Sequence, residues 1–155
     1  MTSTDSPTIW IDGDGVPRDA KEILFKASIR TRLELVLVAN SFQQVPKASC
    51  IRALQVGSGL DVADDYIAEN CSKGDLVITS DIPLAARVIE VGATVIRFRG
   101  ELLTEANIGE RLQARDFMDD LRGSGVMTGG PPPYGPKDKQ RFAGALDRWL
   151  AAASR

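Results

Sequence analysis

Aspartates stand at two places in this chain where an apolar segment gives way to polar residues. Asp12 and Asp14 follow the apolar run Ile9–Ile11 with one glycine between them, and Asp81 closes the segment 75–81. A short apolar run of this kind is typical of a strand buried on both faces, as in parallel sheets. Because parallel strands share a direction, their carboxyl ends lie at one edge of the sheet, where α/β proteins bind ligands. The sequence therefore predicts that these carboxylates gather at that edge.

A further acidic group, Asp61, Asp64 and Asp65, opens a predicted helix. Its spacing of i, i+3 and i+4 places the three residues on one helix face. We assign Asp61 to the N-cap, because the free N–H groups and the helix dipole favour an acid there. Asp64 and Asp65 remain as alternatives for a carboxylate that points to the same sheet edge.

The clustered carboxylates have few basic partners nearby and no histidine to neutralise them. Carboxylates held together repel one another unless they are protonated or bridged by a cation. A ligand set made of oxygen atoms suits Mg²⁺ or Mn²⁺, and such an ion activates water and screens phosphate charge. The pattern therefore predicts a cation site at this edge. Candidate hydrogen-bonding and substrate-binding residues at the same edge are Asn40, Thr79 and Ser80.

The composition of the chain limits which other chemistries are open to it. Its 155 residues, 43% hydrophobic and 26% charged, are typical of a folded globular domain. The formal net charge of −2 provides no general attraction to nucleic acid, so such a partner needs a local patch or a bound cation. The absence of histidine excludes Ser-His triads and histidine-ligated zinc, and Cys50 and Cys71 lack a CxxC spacing. No secretory or membrane segment is recognised, which predicts a cytoplasmic protein without a membrane partner.

Apolar segments alternate with amphipathic ones along most of the chain. Strands that alternate with helices form a parallel sheet with right-handed crossovers and helices on both faces. The sequence therefore predicts an α/β fold with a doubly wound, mostly parallel sheet of about five strands. Strands are expected at 9–11, 33–39, 52–56, 75–81 and 94–98, and helices at 18–29, 61–69, 83–91 and 107–121.

The chain is predicted to form a single domain over residues 1–155, in which the α/β pattern covers a core at 8–122. A stretch at 123–136, rich in glycine and proline, is expected to be an extended linker. The segment 137–152 is predicted to be a helix whose apolar stripe docks back onto the core, with a partner-binding surface as the alternative. The stripe consists of Phe142, Leu146, Trp149 and Leu150.

Several longer motifs follow one another through nearly the whole chain. They are Ile-Trp-Ile-Asp-Gly-Asp-Gly-Val-Pro at 9–17, Val-Ala-Asn at 38–40, Asp-Val-Ala-Asp-Asp at 61–65, Asp-Leu-Val-Ile-Thr-Ser-Asp-Ile-Pro-Leu-Ala at 75–85, Arg-Gly-Glu-Leu at 99–102, Arg-Asp-Phe-Met-Asp at 115–119 and Thr-Gly-Gly-Pro at 128–131. Together they resemble the uncharacterised bacterial YaiI/YqxD family, which is placed with the PIN-like nucleases.

The resemblance implies a PIN-like, three-layer α/β/α fold with the C-terminal helix added after the linker. In PIN-like nucleases the metal-binding acids lie on strand one, on a middle helix and after a later strand. Carried onto this sequence, the resemblance implies Asp12, Asp64 or Asp65, and Asp81 as ligands of Mg²⁺ or Mn²⁺. Asp14 is the fourth catalytic acid that it implies.

The first motif departs from the family pattern at its small residues. The family usually has Asp-Ala-Asp-Ala-Cys-Pro there, whereas this chain has Gly13, Gly15 and Val16 in place of the two alanines and the cysteine. A thiol role at this position is therefore excluded for this member, while both aspartates remain. The glycines are expected to let the backbone turn sharply, if necessary with positive φ.

The leading functional prediction is a divalent-metal-dependent phosphodiesterase, a nuclease that acts on RNA. The carboxylates would hold one or two Mg²⁺ or Mn²⁺ ions, and basic side chains would hold the substrate. The sequence is compatible with a homo-oligomer and does not define a protein partner. Candidate basic residues for substrate binding are Arg18, Lys47, Arg97 and Arg99.

Two other functions remain as alternatives. In a haloacid-dehalogenase-like phosphatase, Asp12 would be the nucleophile and Asp14 the acid, with Thr79 or Ser80 on the phosphate. Against it, the first helix follows at once and leaves no room for that family's flap, and the other acids precede Asp81 rather than follow it. The second alternative is a non-catalytic PIN-like module that binds RNA or a protein.

Overall fold

A computed structural model describes residues 6–59, 61–123 and 132–153 of the protein. Most of the predicted linker, and the motif at 128–131, lie outside the described residues. The elements follow in the order β1 (Thr8–Asp12), α1 (Arg18–Thr31), β2 (Glu34–Ala39), β3 (Ile51–Gln55), α2 (Val62–Asn70), β4 (Leu76–Ile78), α3 (Ile82–Val91), β5 (Thr94–Ile96), β6 (Leu102–Leu103), α4 (Glu105–Gly123) and α5 (Pro136–Ala153).

Within those ranges, six strands form a sheet in the order β3-β2-β1-β4-β5-β6. Neighbouring strands are parallel except β5 and β6, which are antiparallel. The predicted α/β fold with a mostly parallel sheet is therefore confirmed, with one strand more than expected. That strand, β6, spans only Leu102 and Leu103, which is too short to show an alternating pattern in the sequence.

The central strands β1, β2 and β4 are buried on both faces, and successive side chains pack on opposite sides of the sheet. Ile9 and Ile11 join a core cluster with residues of α1 and α5, whereas Trp10 joins a second cluster with residues of α2 and α3. Ile108 of α4 packs against the second cluster. The fold is therefore consistent with three layers, α/β/α. In the part of the chain that the structure describes, no helix is long and apolar enough to cross a membrane.

Strand β1 lies inside the sheet, and the chain changes direction across the sheet beside it. Strands β2 and β3 extend to one side of β1, and α2 then carries the chain over to β4 on the other side. At such a switch point the loops after neighbouring strands diverge and leave a crevice. Asp12 ends β1 and residues 79–81 directly follow β4, so both flank this crevice.

The C-terminal helix α5 packs onto the face of the sheet that α1 also covers. Phe142, Leu146 and Leu150 are buried in the same cluster as Ile9, and Trp149 packs against that cluster. Helix α5 therefore packs on the core through this apolar stripe. Removing four large apolar side chains from water stabilises the packed helix by about 1.5–3 kcal/mol each before entropy losses.

Candidate functional site

A buried threonine connects the ends of β1 and β4. Strands β1 and β4 pair with Ile11 opposite Ile78, so the next residues, Asp12 and Thr79, are also neighbours. The Thr79 hydroxyl donates to Oδ2 of Asp12 at 3.0 Å and accepts from the backbone N–H of Asp81 at 3.0 Å. Because Thr79 is fully buried, this bridge holds Asp12 and the start of α3 in fixed positions.

Asp12 turns toward the helices α2 and α3, because alternate residues of a strand face the same side and Trp10 faces those helices. The carboxyl is half-buried. Its pKa is raised above the ordinary aspartate value, chiefly by burial and further by the charges of Asp81 and Asp14, against the lowering effect of the Thr79 hydrogen bond. Asp12 is therefore a carboxylate held where its charge is disfavoured.

Asp64 and Asp81 meet above the end of β4. Asp81 is the N-cap of α3, and its Oδ1 accepts from the backbone N–H of Leu84 at 3.0 Å. Burial, the interaction with the Asp81 side chain and the charges of Asp81, Asp12 and Asp61 raise the pKa of Asp64 to about 7. We call Asp12, Asp64 and Asp81 the carboxylate cluster.

Helix α2 decides which acid of the Asp61–Asp65 group joins the cluster. Asp65 lies outside it, exposed, where its Oδ1 is 2.7 Å from Nη1 of Arg87. Asp61 occupies the N-cap position as predicted, but it has φ 62° and its side chain makes no capping hydrogen bond. Its charge instead contributes to the raised pKa of Asp64.

Asp14 organises the loop after β2. Its carboxylate accepts from the backbone N–H of Asn40 at 2.8 Å, from Oγ of Ser41 at 3.1 Å and from Nε2 of Gln43 at 3.4 Å. The residue is exposed, and its charge reaches Asp12. The arrangement gives Asp14 a loop-positioning role beside the cluster, and its predicted catalytic role stays a prediction.

Gly13 is required for space and not for an unusual backbone angle. A Cβ atom added there would lie 2.6 Å from Cδ2 of Leu37 and 3.0 Å from Cβ of Ala39. The backbone does turn sharply after Asp12, where the Gly15 N–H donates to the Asp12 carbonyl at 3.1 Å, but neither Gly13 nor Gly15 is among the residues with positive φ. The tight packing of Gly13 against β2 keeps Asp12 and Asp14 close to the sheet edge.

Lys21 faces the site from α1, and the sequence interpretation missed it. Its Nζ donates to Oε1 of Gln43 at 2.6 Å, and its charge lowers the pKa of Asp12. Burial in turn lowers the pKa of Lys21 itself, against the charges of Asp14 and Asp12. A lysine so near the N-terminus of a helix is unfavourable, because its positive charge opposes the helix dipole. This position in the predicted helix is the feature of the sequence that could have identified Lys21.

The predicted substrate-binding residues differ in their surroundings. Arg18 and Lys47 are exposed, and Arg18 lies 3.5 Å from Glu22 across one turn of α1. Asn40 is exposed beside Asp14, and Ser80 is half-buried next to Asp81. Thr79 is buried under Asp12 and therefore positions that carboxylate. These substrate contacts stay predictions.

The donor atoms of the cluster are those that hard divalent cations prefer, since all are oxygens. In the described ranges, however, no group of three or more Asp, Glu, Cys or His side chains is arranged to hold a metal ion as it stands. The arrangement supplies one carboxyl group, that of Asp64, which can hold or release a proton near neutral pH, and it places Asp12 and Asp81 where a cation can draw the three groups together.

Comparison with known families covers almost the whole chain. The profile of the family described as "Uncharacterized BCR, YaiI/YqxD family" matches residues 10–152. No solved structure matches the chain. The matched range begins within β1 and ends within α5, so it contains the carboxylate cluster and the docked C-terminal helix. The chain therefore belongs to the YaiI/YqxD family, whose members are uncharacterised.

Proposed function

We propose that this protein is a divalent-metal-dependent phosphodiesterase that acts on RNA, with Asp12, Asp64 and Asp81 as the cation-binding acids. The observation that supports it is the convergence of the Asp12, Asp64 and Asp81 carboxyls at the switch point of the sheet, where the charge of Asp81 raises the pKa of both Asp12 and Asp64. Partly buried carboxyls that face one another favour a bound cation, because its charge offsets their mutual repulsion. Structural ion-pair networks lack this feature, because their carboxylates face basic groups.

The all-oxygen donor set suits Mg²⁺ or Mn²⁺ better than zinc or copper, which favour nitrogen and sulfur. Bound there, such an ion would activate water for attack on phosphorus and would screen the phosphate charge. The chain's own contribution is to hold the acids in place. Thr79 fixes Asp12, and the backbone N–H of Leu84 fixes Asp81.

Basic groups on the same side of the molecule supply a place for the substrate. Lys21 lies close enough for its charge to lower the pKa of Asp12. Arg97 and Arg111 line a cavity that includes Asp81. An otherwise acidic chain of net charge −2 therefore carries positive charge beside its carboxylates. Nucleic-acid-binding sites need such a local patch, because phosphate contacts dominate their affinity.

The test is cleavage of labelled single-stranded RNA in the presence of Mn²⁺. The parent protein should cleave slowly, and chelator should stop the reaction. Asp12→Asn and Asp81→Asn should lower the rate by more than about 100-fold, beyond the usual effect of residues that only support ligands. Asp147→Asn is the matched control, since Asp147 is exposed on α5 and pairs with Arg30.

Other results would point to the alternative functions. Turnover of an aryl phosphate monoester without RNA cleavage would contradict the proposal in favour of a phosphatase. RNA binding without cleavage, at any Mn²⁺ concentration, would contradict it in favour of a non-catalytic module. Equal rates in the parent and in Asp12→Asn would place the activity elsewhere or in a contaminant.

A further inference from the structure

A cavity of about 400 Å³ opens beside the carboxylate cluster, between the start of α3 and the helix α4. Ser80 and Asp81 line it together with three arginines, Arg97, Arg111 and Arg115. An aspartate of the cluster therefore shares one cavity with three guanidinium groups. Arg97 is one of the predicted substrate-binding residues, but the sequence did not indicate its arrangement with Arg111 and Arg115, because these two lie on α4 and Arg97 lies in the segment after β5.

Glu101 orients two of these arginines. Its Oε1 accepts from Nη1 of Arg97 at 2.9 Å, and its Oε2 accepts from Nε of Arg111 at 2.7 Å and also from Nη2 of Arg111. The hydrogen bonds from Arg111 and Arg97 lower the pKa of Glu101, so it is a carboxylate at neutral pH. The three side chains are each only about one-third exposed, at 34%, 37% and 30% for Arg97, Arg111 and Glu101.

One carboxylate shared by two guanidinium groups leaves a net positive charge of one, and Arg115 brings a third guanidinium group to the same cavity. Guanidinium groups present planar sets of N–H donors that match the oxygens of phosphate, and fixed orientation reduces the entropy lost on binding. The Glu101 network is therefore more than a surface ion pair. It holds two guanidinium groups at the wall of a cavity.

The cavity continues along the segment after β5. Ser80 and Arg97 also line a neighbouring cavity of about 430 Å³, whose other walls include Phe98 and Arg99. Two cavities with shared walls form a groove that leads away from Asp81. We call the residues Arg97, Arg111 and Arg115, with Ser80, the arginine groove.

We propose that the arginine groove binds a phosphate group of the RNA strand next to the bond that is cleaved, and so places that bond over Asp12 and Asp81. This inference rests on the proposed function for the identity of the polymer. The phosphate is either the terminal 5′-phosphate of a strand or an internal phosphodiester. Both present the oxygen atoms that the guanidinium groups recognise.

The experiment is a binding titration that does not need cleavage. Fluorescence anisotropy would measure the affinity of the full chain for a labelled single-stranded RNA of about ten nucleotides, in chelator. Arg97→Gln, Arg111→Gln and Arg115→Gln should each weaken binding by roughly 10-fold, and the slope of log affinity against log salt should fall by about 0.7 for each arginine–phosphate interaction that is removed. Thermal melts would confirm that the variants fold. If Arg97→Gln and Arg111→Gln unfold because Glu101 loses a partner, Arg115→Gln still tests the inference, since it leaves both of those hydrogen-bond partners in place.

Arg30→Gln is the matched control. Arg30 is exposed on α1, with Nη2 3.5 Å from Oδ1 of Asp147, and it lines neither cavity of the groove. This variant loses the same charge and should bind the RNA as tightly as the parent. Equal losses in Arg30→Gln and in the groove variants, or no loss in any groove variant, would overturn the inference.

Titrations of two RNA strands, one with a 5′-phosphate and one with a 5′-hydroxyl, identify which phosphate the arginine groove binds. If the groove variants weaken only the strand that carries a 5′-phosphate, the groove holds a terminal phosphate; if they weaken the 5′-hydroxyl strand equally, it holds an internal one. Both results support the inference. Arginine-dependent binding in a protein that never cleaves RNA would leave the inference standing and overturn the proposed function, whereas cleavage without arginine-dependent binding would do the reverse.

Discussion

Opposite ends of the same two strands, β1 and β4, carry aspartates with opposite surroundings. Before β4, the buried carboxylate of Asp75 accepts from the backbone N–H groups of Thr8 and Ser72 at 2.9 and 2.8 Å and from Nε1 of Trp10 at 3.0 Å. At the other end, Asp12 accepts from a threonine hydroxyl and lies within reach of the charges of Asp81 and Asp14.

The difference lies in what converges on each carboxylate. N–H donors converge on Asp75, so hydrogen bonds to this carboxylate join β1, β4 and the turn before β4. Other carboxyl groups converge on Asp12, so its charge is disfavoured and its pKa is raised. One aspartate stabilises the fold, and the other belongs to a cluster that is retained at a cost in stability, as functional sites often are.

The largest expected effect is on the free energy of unfolding when Asp75 and Asp12 are each replaced by asparagine. Asp75→Asn should lower the free energy of unfolding by about 3 kcal/mol, because an amide nitrogen then faces buried N–H donors. Asp12→Asn should leave that free energy unchanged or raise it, because repulsion with Asp81 and Asp14 is relieved. Urea unfolding of the two variants and the parent measures both. Similar losses in the two variants would show that Asp12 is also a structural carboxylate.

Cation binding should also distinguish Asp12 from Asp75, through a change in stability of similar size. Mn²⁺ at about 100 times its dissociation constant should add about 2.7 kcal/mol to the stability of the parent, seen as a higher melting temperature. Asp12→Asn and Asp81→Asn should remove this increment. Asp75→Asn should start from a lower melting temperature but retain the increment, which makes it the control. An increment that persists in Asp12→Asn would place the cation outside the carboxylate cluster.

The smallest expected effect is the pH dependence of the free energy of unfolding, which follows from the raised pKa of Asp64. In the unfolded chain Asp64 loses its proton near pH 4, whereas the folded chain keeps it until about pH 7. Between these values the folded state binds more protons, so the free energy of unfolding without metal falls as pH rises and then levels off above pH 7. After solvent screening we expect a fall of about 1 kcal/mol. Asp64→Asn should flatten this part of the profile, and Asp147→Asn should leave it unchanged; a profile equally steep in Asp64→Asn would contradict the assignment.

Much of this architecture is encoded in local sequence patterns. The apolar runs at 9–11 and 33–39 belong to strands buried on both faces, and the alternation of strands and helices predicts the parallel sheet. Because parallel strands share a direction, the order of elements alone places Asp12 and Asp81 at the same edge. The apolar stripe of α5 likewise predicts that it docks, since hydrophobic periodicity is a property of consecutive residues.

Other features depend on how the elements dock, and tertiary structure alone decides them. Successive residues of a helix point about 100° apart, so the choice of Asp64 over Asp65 depends on the rotation of α2 against the sheet. The structural role of Asp75 depends on donors from β1, far away in sequence. The arginine groove brings together α4 and the segment after β5 through Glu101. The sequence determined which edge of the sheet carries the acids, because strand direction follows from local pattern; which acids face one another and which face donors was decided by long-range packing, which no local pattern records.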